Sequence, residues 1–212
     1  LASIAQRYYG DPRKETVLVT ENGLTEQEGI RIVVGMHLIV PAVSHHTVAA
    51  GERWGAIAQR YYGEPRRAFV LVDANHGSSD EPAEGAELLI PYPLRHVSGS
   101  GETVQRVAAQ YLTGSEENVR MLVRFNGLSS TRLSRGQVIL VPLPDLVLSE
   151  EGRAAYEAAT GNSSGGEVRA LQESVSAQLP LLAEHVRRGR YLEAVGLGHR
   201  LLGTGHLTGN QI

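Results

Sequence analysis

The 212-residue chain contains no cysteine. It therefore has no disulfide framework, no thiolate zinc site and no cysteine nucleophile, and either redox compartment stays open to it. It also lacks any run of about 18 apolar residues that could cross a bilayer, and no charged-then-apolar leader opens it. Net charge is only -3, which provides no basic field and excludes polyanion binding, nucleic acid above all, as a first reading. Lysine is nearly missing: Lys14 is the exception among the twenty basic residues. A bias that uniform reads as coding composition rather than as a binding surface. The eight histidines form no H-E-x-x-H pattern and no compact cluster, His45-His46 being the closest pair. No phosphate loop, dinucleotide fingerprint or kinase set occurs either, so neither cofactor nor metal is expected and catalysis within the chain is not.

What the chain does contain is repetition. "IAQRYYG" stands at residues 4–10 and again at 57–63, with the looser "VAAQYLTG" beginning at Val107. Three landmarks recur in order. The first is an apolar stripe at helical spacing: Leu1-Ile4-Ala5-Tyr8, Trp54-Ile57-Ala58-Tyr61 and Val104-Val107-Ala108-Tyr111. The second is a helix end with its turn: Leu18-Val19 with Asn22-Gly23, Leu71-Val72 with Asn75, and Leu122-Val123 with Asn126-Gly127. The third is a short apolar run closed by proline at Pro41, Pro91 and Pro142, read as a strand that proline terminates.

Copies two and three carry one more element upstream. His46-Thr47-Val48 leads to Gly51-Glu52-Arg53, and His96-Val97 leads to Gly101-Glu102-Thr103, a strand followed by a turn into the helix. The unit is thus strand-helix-helix-strand. In the first copy Leu1 stands where Trp54 stands in the second, so its first strand is expected to precede residue 1, leaving this copy incomplete or supported by a neighbour. The predicted architecture is α+β: three tandem βααβ units at 1–43, 44–93 and 94–144, the first without its initial strand, each with a core of its own. An all-α hairpin at 145–212 follows.

On these residues, "HTVAAGERWGAIAQRYYG" with Asn75 and "LLIP", and "HVSGSGETVQRVAAQYL" with "FNGL" and "VILVP", the chain resembles the LysM domain. The departures are Arg53 where that family prefers Thr, Gly55 inside a helix, and His76 within the Asn-Gly turn. The resemblance implies non-catalytic binding of an N-acetylglucosamine glycan, peptidoglycan or chitin, in a groove between the loop after the first strand and the loop after the second helix. In copy two that implicates Gly51, Glu52, Arg53, Trp54, Asn75, His76 and Gly77. Copy three offers Gly101, Glu102, Thr103, Val104, Asn126, Gly127 and Leu128, and copy one Asn22, Gly23 and Leu24. N-acetyl groups carry one amide donor and one acceptor for facing backbone groups. Neutral hydrogen bonds contribute only about 0.5–1.5 kcal/mol each, so avidity across copies would matter. Read as packing and turn residues instead, Trp54 anchors a core, Glu52 and Glu102 are turn acids, and His46 and His96 pack at the strand starts.

Beyond Pro144 the composition turns to Ala, Glu and Leu, with Ser149 as N-cap of a helix "EEGRAAYEAA". "GNSSGG" at 161–166 reads as a linker. It fits G-x-S-x-G formally, but the strand that a nucleophile elbow needs before its Ser is missing. Val168, Leu171, Val175, Leu179 and Leu182 trace a helical stripe with a break at Pro180, and "LLAEHVRRGRYLEAVGLGHRLLG" resembles a tetratricopeptide unit, implying a protein partner. Three functions follow from the whole: a bacterial cell-envelope module, periplasmic, that binds peptidoglycan; a structural adaptor in an envelope machine or phage-tail-like assembly; or the binding part of a hydrolase.

Overall fold

The computed structural model describes residues 1–24, 32–33, 36–77, 81–160, 182 and 184–203. The first stretch is α1 (Ala2–Tyr9), a 3-10 turn (Pro12–Lys14) and α2 (Glu15–Glu21). The second runs β1 (Ser44–Thr47), α3 (Trp54–Tyr62), a 3-10 turn (Pro65–Arg67), α4 (Ala68–Ala74) and β2 (Glu87–Ile90). The third is β3 (Tyr92–Val97), α5 (Val104–Tyr111), α6 (Glu116–Asn126) and β4 (Val138–Leu143). Two further helices, α7 (Glu150–Thr160) and α8 (Tyr191–Gly203), close the described chain. The fold is mixed, with helices covering small two-stranded sheets.

Strands β1 and β2 pair antiparallel, His46 opposite Leu88. β3 and β4 do the same, Leu94 opposite Val141. Pro142 does not end its strand, contrary to the sequence reading. It sits opposite Pro93, so two residues without an N–H face each other where neither has to donate. At Pro41 the correction runs the other way: residues 36–41 carry no strand assignment. Instead of a strand partner, Ile39 has the side chain of Asn22, which binds both its N–H and its carbonyl.

Among the described residues the second and third stretches each carry an apolar cluster, as expected, but each cluster also takes in a side chain from a neighbouring stretch. Phe125, from α6 of the third stretch, is fully buried among Trp54, Ile57, Tyr62, Leu71 and Ile90 of the second. Its ring meets Tyr62 and Phe69 edge to face, and Arg67 lies 4.9 Å over it while Nε donates to the Phe125 carbonyl. Val17 of α2 belongs in the same way to the cluster of Leu94, Val104, Leu122 and Leu143. The reason is area: stretches this short bury too little surface alone, and a side chain that crosses the boundary, Phe125 in one case and Val17 in the other, adds to the neighbouring core.

The first stretch is held from two sides. Thr20 Oγ1 lies 2.8 Å from Tyr111 Oη of α5. Ser149 accepts from Gly152 N as the N-cap of α7, while its hydroxyl and its N–H donate to the carbonyls of Arg7 and Tyr8. Residues 184–187 are helical and turn through Arg188-Gly189 into α8, which packs along β3 and buries Ala194 and Leu197. The linker at 161–166 and the stripe from Val168 to Pro180 lie outside the described residues.

Candidate functional site

Each site residue is positioned by a turn that the chain builds more than once. At the end of the second helix an Asn side chain bridges helix and strand. Asn75 Nδ2 donates to Leu71 O and Leu89 O, each at 2.8 Å, and Oδ1 accepts from Leu89 N at 2.7 Å. Asn126 repeats this with Leu122 and Leu140, and Asn22 with Leu18 and Ile39. The amide thus replaces one rung of a missing strand neighbour, and its donors and acceptor are committed inside the protein.

The next residue turns the chain back through the left-handed region: Gly23 at φ 62°, His76 at φ 50° and Gly127 at φ 61°. The residue after it closes the helix, with Leu24 N to Val19 O, Gly77 N to Val72 O and Leu128 N to Val123 O all at 2.9 Å. His76 is the only non-glycine residue with positive φ among the described residues, a conformation that costs an L side chain of order 1 kcal/mol.

The facing loop is pinned by its acid. Glu52 Oε2 accepts from Ala49 N at 3.0 Å and meets His46 Nε2 at 2.7 Å. Glu102 Oε2 accepts from Gly99 N at 2.7 Å and meets His96 Nε2 at 3.0 Å. Behind each histidine stands a tyrosine: Tyr61 Oη lies 3.3 Å from His46 Nδ1, and Tyr111 Oη 2.9 Å from His96 Nδ1. With a neutral ring the proton order is consistent: Tyr O–H donates to Nδ1, and Nε2–H donates to the carboxylate. The Ala49 N–H first, then His46, holds the Glu52 carboxyl below the usual carboxylate range. Burial pushes the Tyr111 phenol up. These two chains were missed in the sequence reading, which took the histidines as packing residues. The signal was the repeated spacing, six residues from His to Glu and fifteen from His to Tyr in both copies.

In the second and third stretches the two loops are brought together. In the third, Val104 N donates to Thr131 O and Leu133 N to Glu102 O, while Leu128 packs on the core that contains Val104. In the second, Trp54 N donates to Glu81 Oε2 at 3.1 Å, and Gly77 lies so close to the buried Trp54 ring that a Cβ would stand 3.2 Å from it. Gly51, Arg53, His76 and Gly77 are exposed on one rim; Gly101 and Gly127 are exposed and Thr103 half-buried on the other. Arg66 of the second stretch covers Gly127, where a Cβ would come within 2.5 Å of Nη1. Gly23 and Leu24 do not join either pair of loops. They line a cleft of about 480 Å³ across from His96, Glu102 and Tyr111. No group of three or more His, Asp or Glu side chains suited to a metal occurs among the described residues.

Comparison with known proteins agrees with this geometry in one place. Residues 99–142 match the LysM domain family, a span that runs from the loop after β3 to Pro142 in β4. Over 143 residues the chain is 26% identical to Esterase MT1326 and to Esterase Rv1288, both of Mycobacterium tuberculosis; this is 66% of the present chain but 31% of each relative. The chain therefore spans about a third of the length of these relatives. Among solved structures it is similar to the spore cortex-lytic enzyme SleL of Bacillus cereus, at 22% identity and a TM-score of 0.22, covering 49% of this chain and 23% of that one.

Proposed function

We propose that residues 1–144 are three tandem LysM-like units that bind the N-acetylglucosamine strands of peptidoglycan without catalysing a reaction, at the bacterial cell envelope, with the helices beyond offering a surface to a protein partner. The observation that carries this reading is the LysM match over 99–142. Its Asn bridge and left-handed turn recur around Asn75 and Asn22. Its His-Glu pin recurs around His46. Exposed backbone at Gly51, Gly77, Gly101 and Gly127 is where an N-acetyl group could approach closely, and any one such site would be weak, so several in one chain suit a repetitive polymer.

One observation favours a second reading, an adaptor whose turns contact protein. Arg66 already covers Gly127, and neighbouring units are locked through Phe125. Co-sedimentation with insoluble peptidoglycan separates the two. Asn75 and Asn126 are poor probes because their side chains bridge helix and strand and their loss would destabilise the fold, so the rims are changed instead, with Arg53→Glu and Leu128→Arg. Retention of the wild type and its loss in the folded double variant supports sugar binding. A wild type that stays in the supernatant supports the adaptor.

A further inference from the structure

The first stretch carries the closing half of the repeat. Met36 N donates to Val33 O at 3.1 Å, the turn that Ala86 N makes with Ala83 O and Gln137 N with Ser134 O ahead of β2 and β4. Ile39 then meets Asn22 as Leu89 meets Asn75, and Tyr9 Oη donates to Pro41 O as Tyr62 Oη donates to Pro91 O. The difference lies on the other edge. Leu38, Leu88 and Ile139 each stand three residues before the closing proline of their repeat. Leu88 has His46 opposite it and Ile139 has His96, but no strand among the described residues lies opposite Leu38. Because Ile39 turns its N–H and carbonyl to Asn22, an extended backbone turns those of Leu38 and Val40 the opposite way, where among the described residues no main-chain group meets them. The carbonyls of Ala86 and Gln137 accept from Val48 N and Ser98 N, and that of Met36 has no such donor among the described residues.

Burial follows the pairing. Leu88, Ile90, Ile139 and Val141 are buried, as are Ile57 and Val107 on their helices, whereas Leu38, Val40 and Ile4 at the same places in the first stretch are only half-buried. Tyr61 and Tyr111 each meet a first-strand histidine, at 3.3 and 2.9 Å, while the hydroxyl of Tyr8, their counterpart, makes no hydrogen bond among the described residues. An unpaired edge over a half-covered apolar row is a template for strand addition.

We propose that this edge is a strand-addition site for a second polypeptide, one that brings an extended segment with a histidine and, two residues on, a small or β-branched residue. The strands that fill the equivalent place define that chemistry: His46 with Val48 and His96 with Ser98, all buried. The incoming histidine stands opposite Leu38 and accepts the Tyr8 O–H on Nδ1, while backbone bonds to Leu38, Val40 and Met36 O supply affinity that does not depend on side chains. β1 and β3 are each already paired along their length, so a second folded copy has neither of them to lend. The inference is independent of sugar binding at the rims.

The test adds a synthetic peptide of residues 92–101, the β3 sequence, to the full chain and follows amide hydrogen exchange and chemical shifts. Without peptide the Leu38 and Val40 amides should exchange fast, and with peptide at about ten times its Kd they should slow by about tenfold. A peptide carrying His96→Ala should bind about three- to tenfold more weakly, and Tyr8→Phe in the protein should make the two peptides equal. Val40→Pro, which removes an edge N–H, should abolish binding; the Tyr8→Phe comparison keeps the test decisive if that variant unfolds. Protection of Leu38 and Val40 before any peptide is added would show the edge filled by this chain or by a second copy, and would overturn the proposal. So would a peptide that does not bind, shifts centred on β4 through displacement of β3, or a histidine preference that survives Tyr8→Phe.

Discussion

At the scale of single residues, the turn after the second helix sets a contrast within one molecule. Gly23 and Gly127 take left-handed φ at no steric cost, whereas His76 takes the same conformation with a side chain. His76→Gly should therefore stabilise the protein by about 0.5–1 kcal/mol, the strain relieved less the extra freedom that glycine has when unfolded; urea unfolding measures it, and an unchanged midpoint would mean that the imidazole offsets its own strain. Glu52 gives a prediction in pH. Its carboxyl is held below the ordinary range by the Ala49 N–H and then by His46, so its folded pKa lies under its unfolded one. The stabilisation is complete above the unfolded value and is lost as pH falls through the folded one. Glu52→Gln should flatten the acid limb of a stability-against-pH curve and leave its neutral plateau lower. The departure of His76 from the Asn-Gly pattern was readable in the sequence. The pinning of Glu52 by a loop N–H was not, because a turn acid and a helix-dipole acid look alike before the turn is built.

At the scale of elements, the Asn bridge joins the end of α6 to β4. Removing it leaves Leu140 without partners on both its N–H and its carbonyl, so Asn126→Ala should cost about 2–4 kcal/mol, counting one lost pair and the exposed backbone groups. Asn126→Asp keeps the acceptor and loses both donations, and should recover only part of that loss in a thermal or urea melt. The helices were legible because period 3.6 with an Asn-Gly stop is a strong local pattern: α3 and α5 begin at Trp54 and Val104, as the stripe implied. The strands were less so. A run ending in proline cannot reveal whether a partner strand exists. At 38–41 Asn22 supplies the hydrogen bonds instead, and at Pro142 the opposing Pro93 removes the need for a stop. The 3-10 turns at Pro12–Lys14 and Pro65–Arg67 were also unread, although each opens with an acid and a proline, Asp11-Pro12 and Glu64-Pro65.

At the scale of the molecule, threefold likeness suggested beads, and side chains that cross from one cluster to the next join the beads to one another. Phe125 reads in the sequence as the residue before an Asn, with nothing to say which side of the boundary it packs on. In space it fills the core of the second stretch. Coupling between stretches follows, and the chain has a built-in reporter of it, because its single tryptophan, Trp54, lies in that same core. Leu94, by contrast, is fully buried in the cluster of the third, so truncating it removes nothing that touches Trp54 in the apolar clusters. If the units unfolded independently, Leu94→Ala would lower the circular-dichroism transition in part and leave the Trp54 fluorescence transition in place. With cores merged through Phe125, Met121 and Leu140, the second stretch cannot stay folded once the third opens. Leu94→Ala should then cost about 2–5 kcal/mol and move both urea transitions by the same amount. Coincident midpoints in the variant would show one cooperative body; a fluorescence midpoint left at the wild-type value would show that the stretches open one by one.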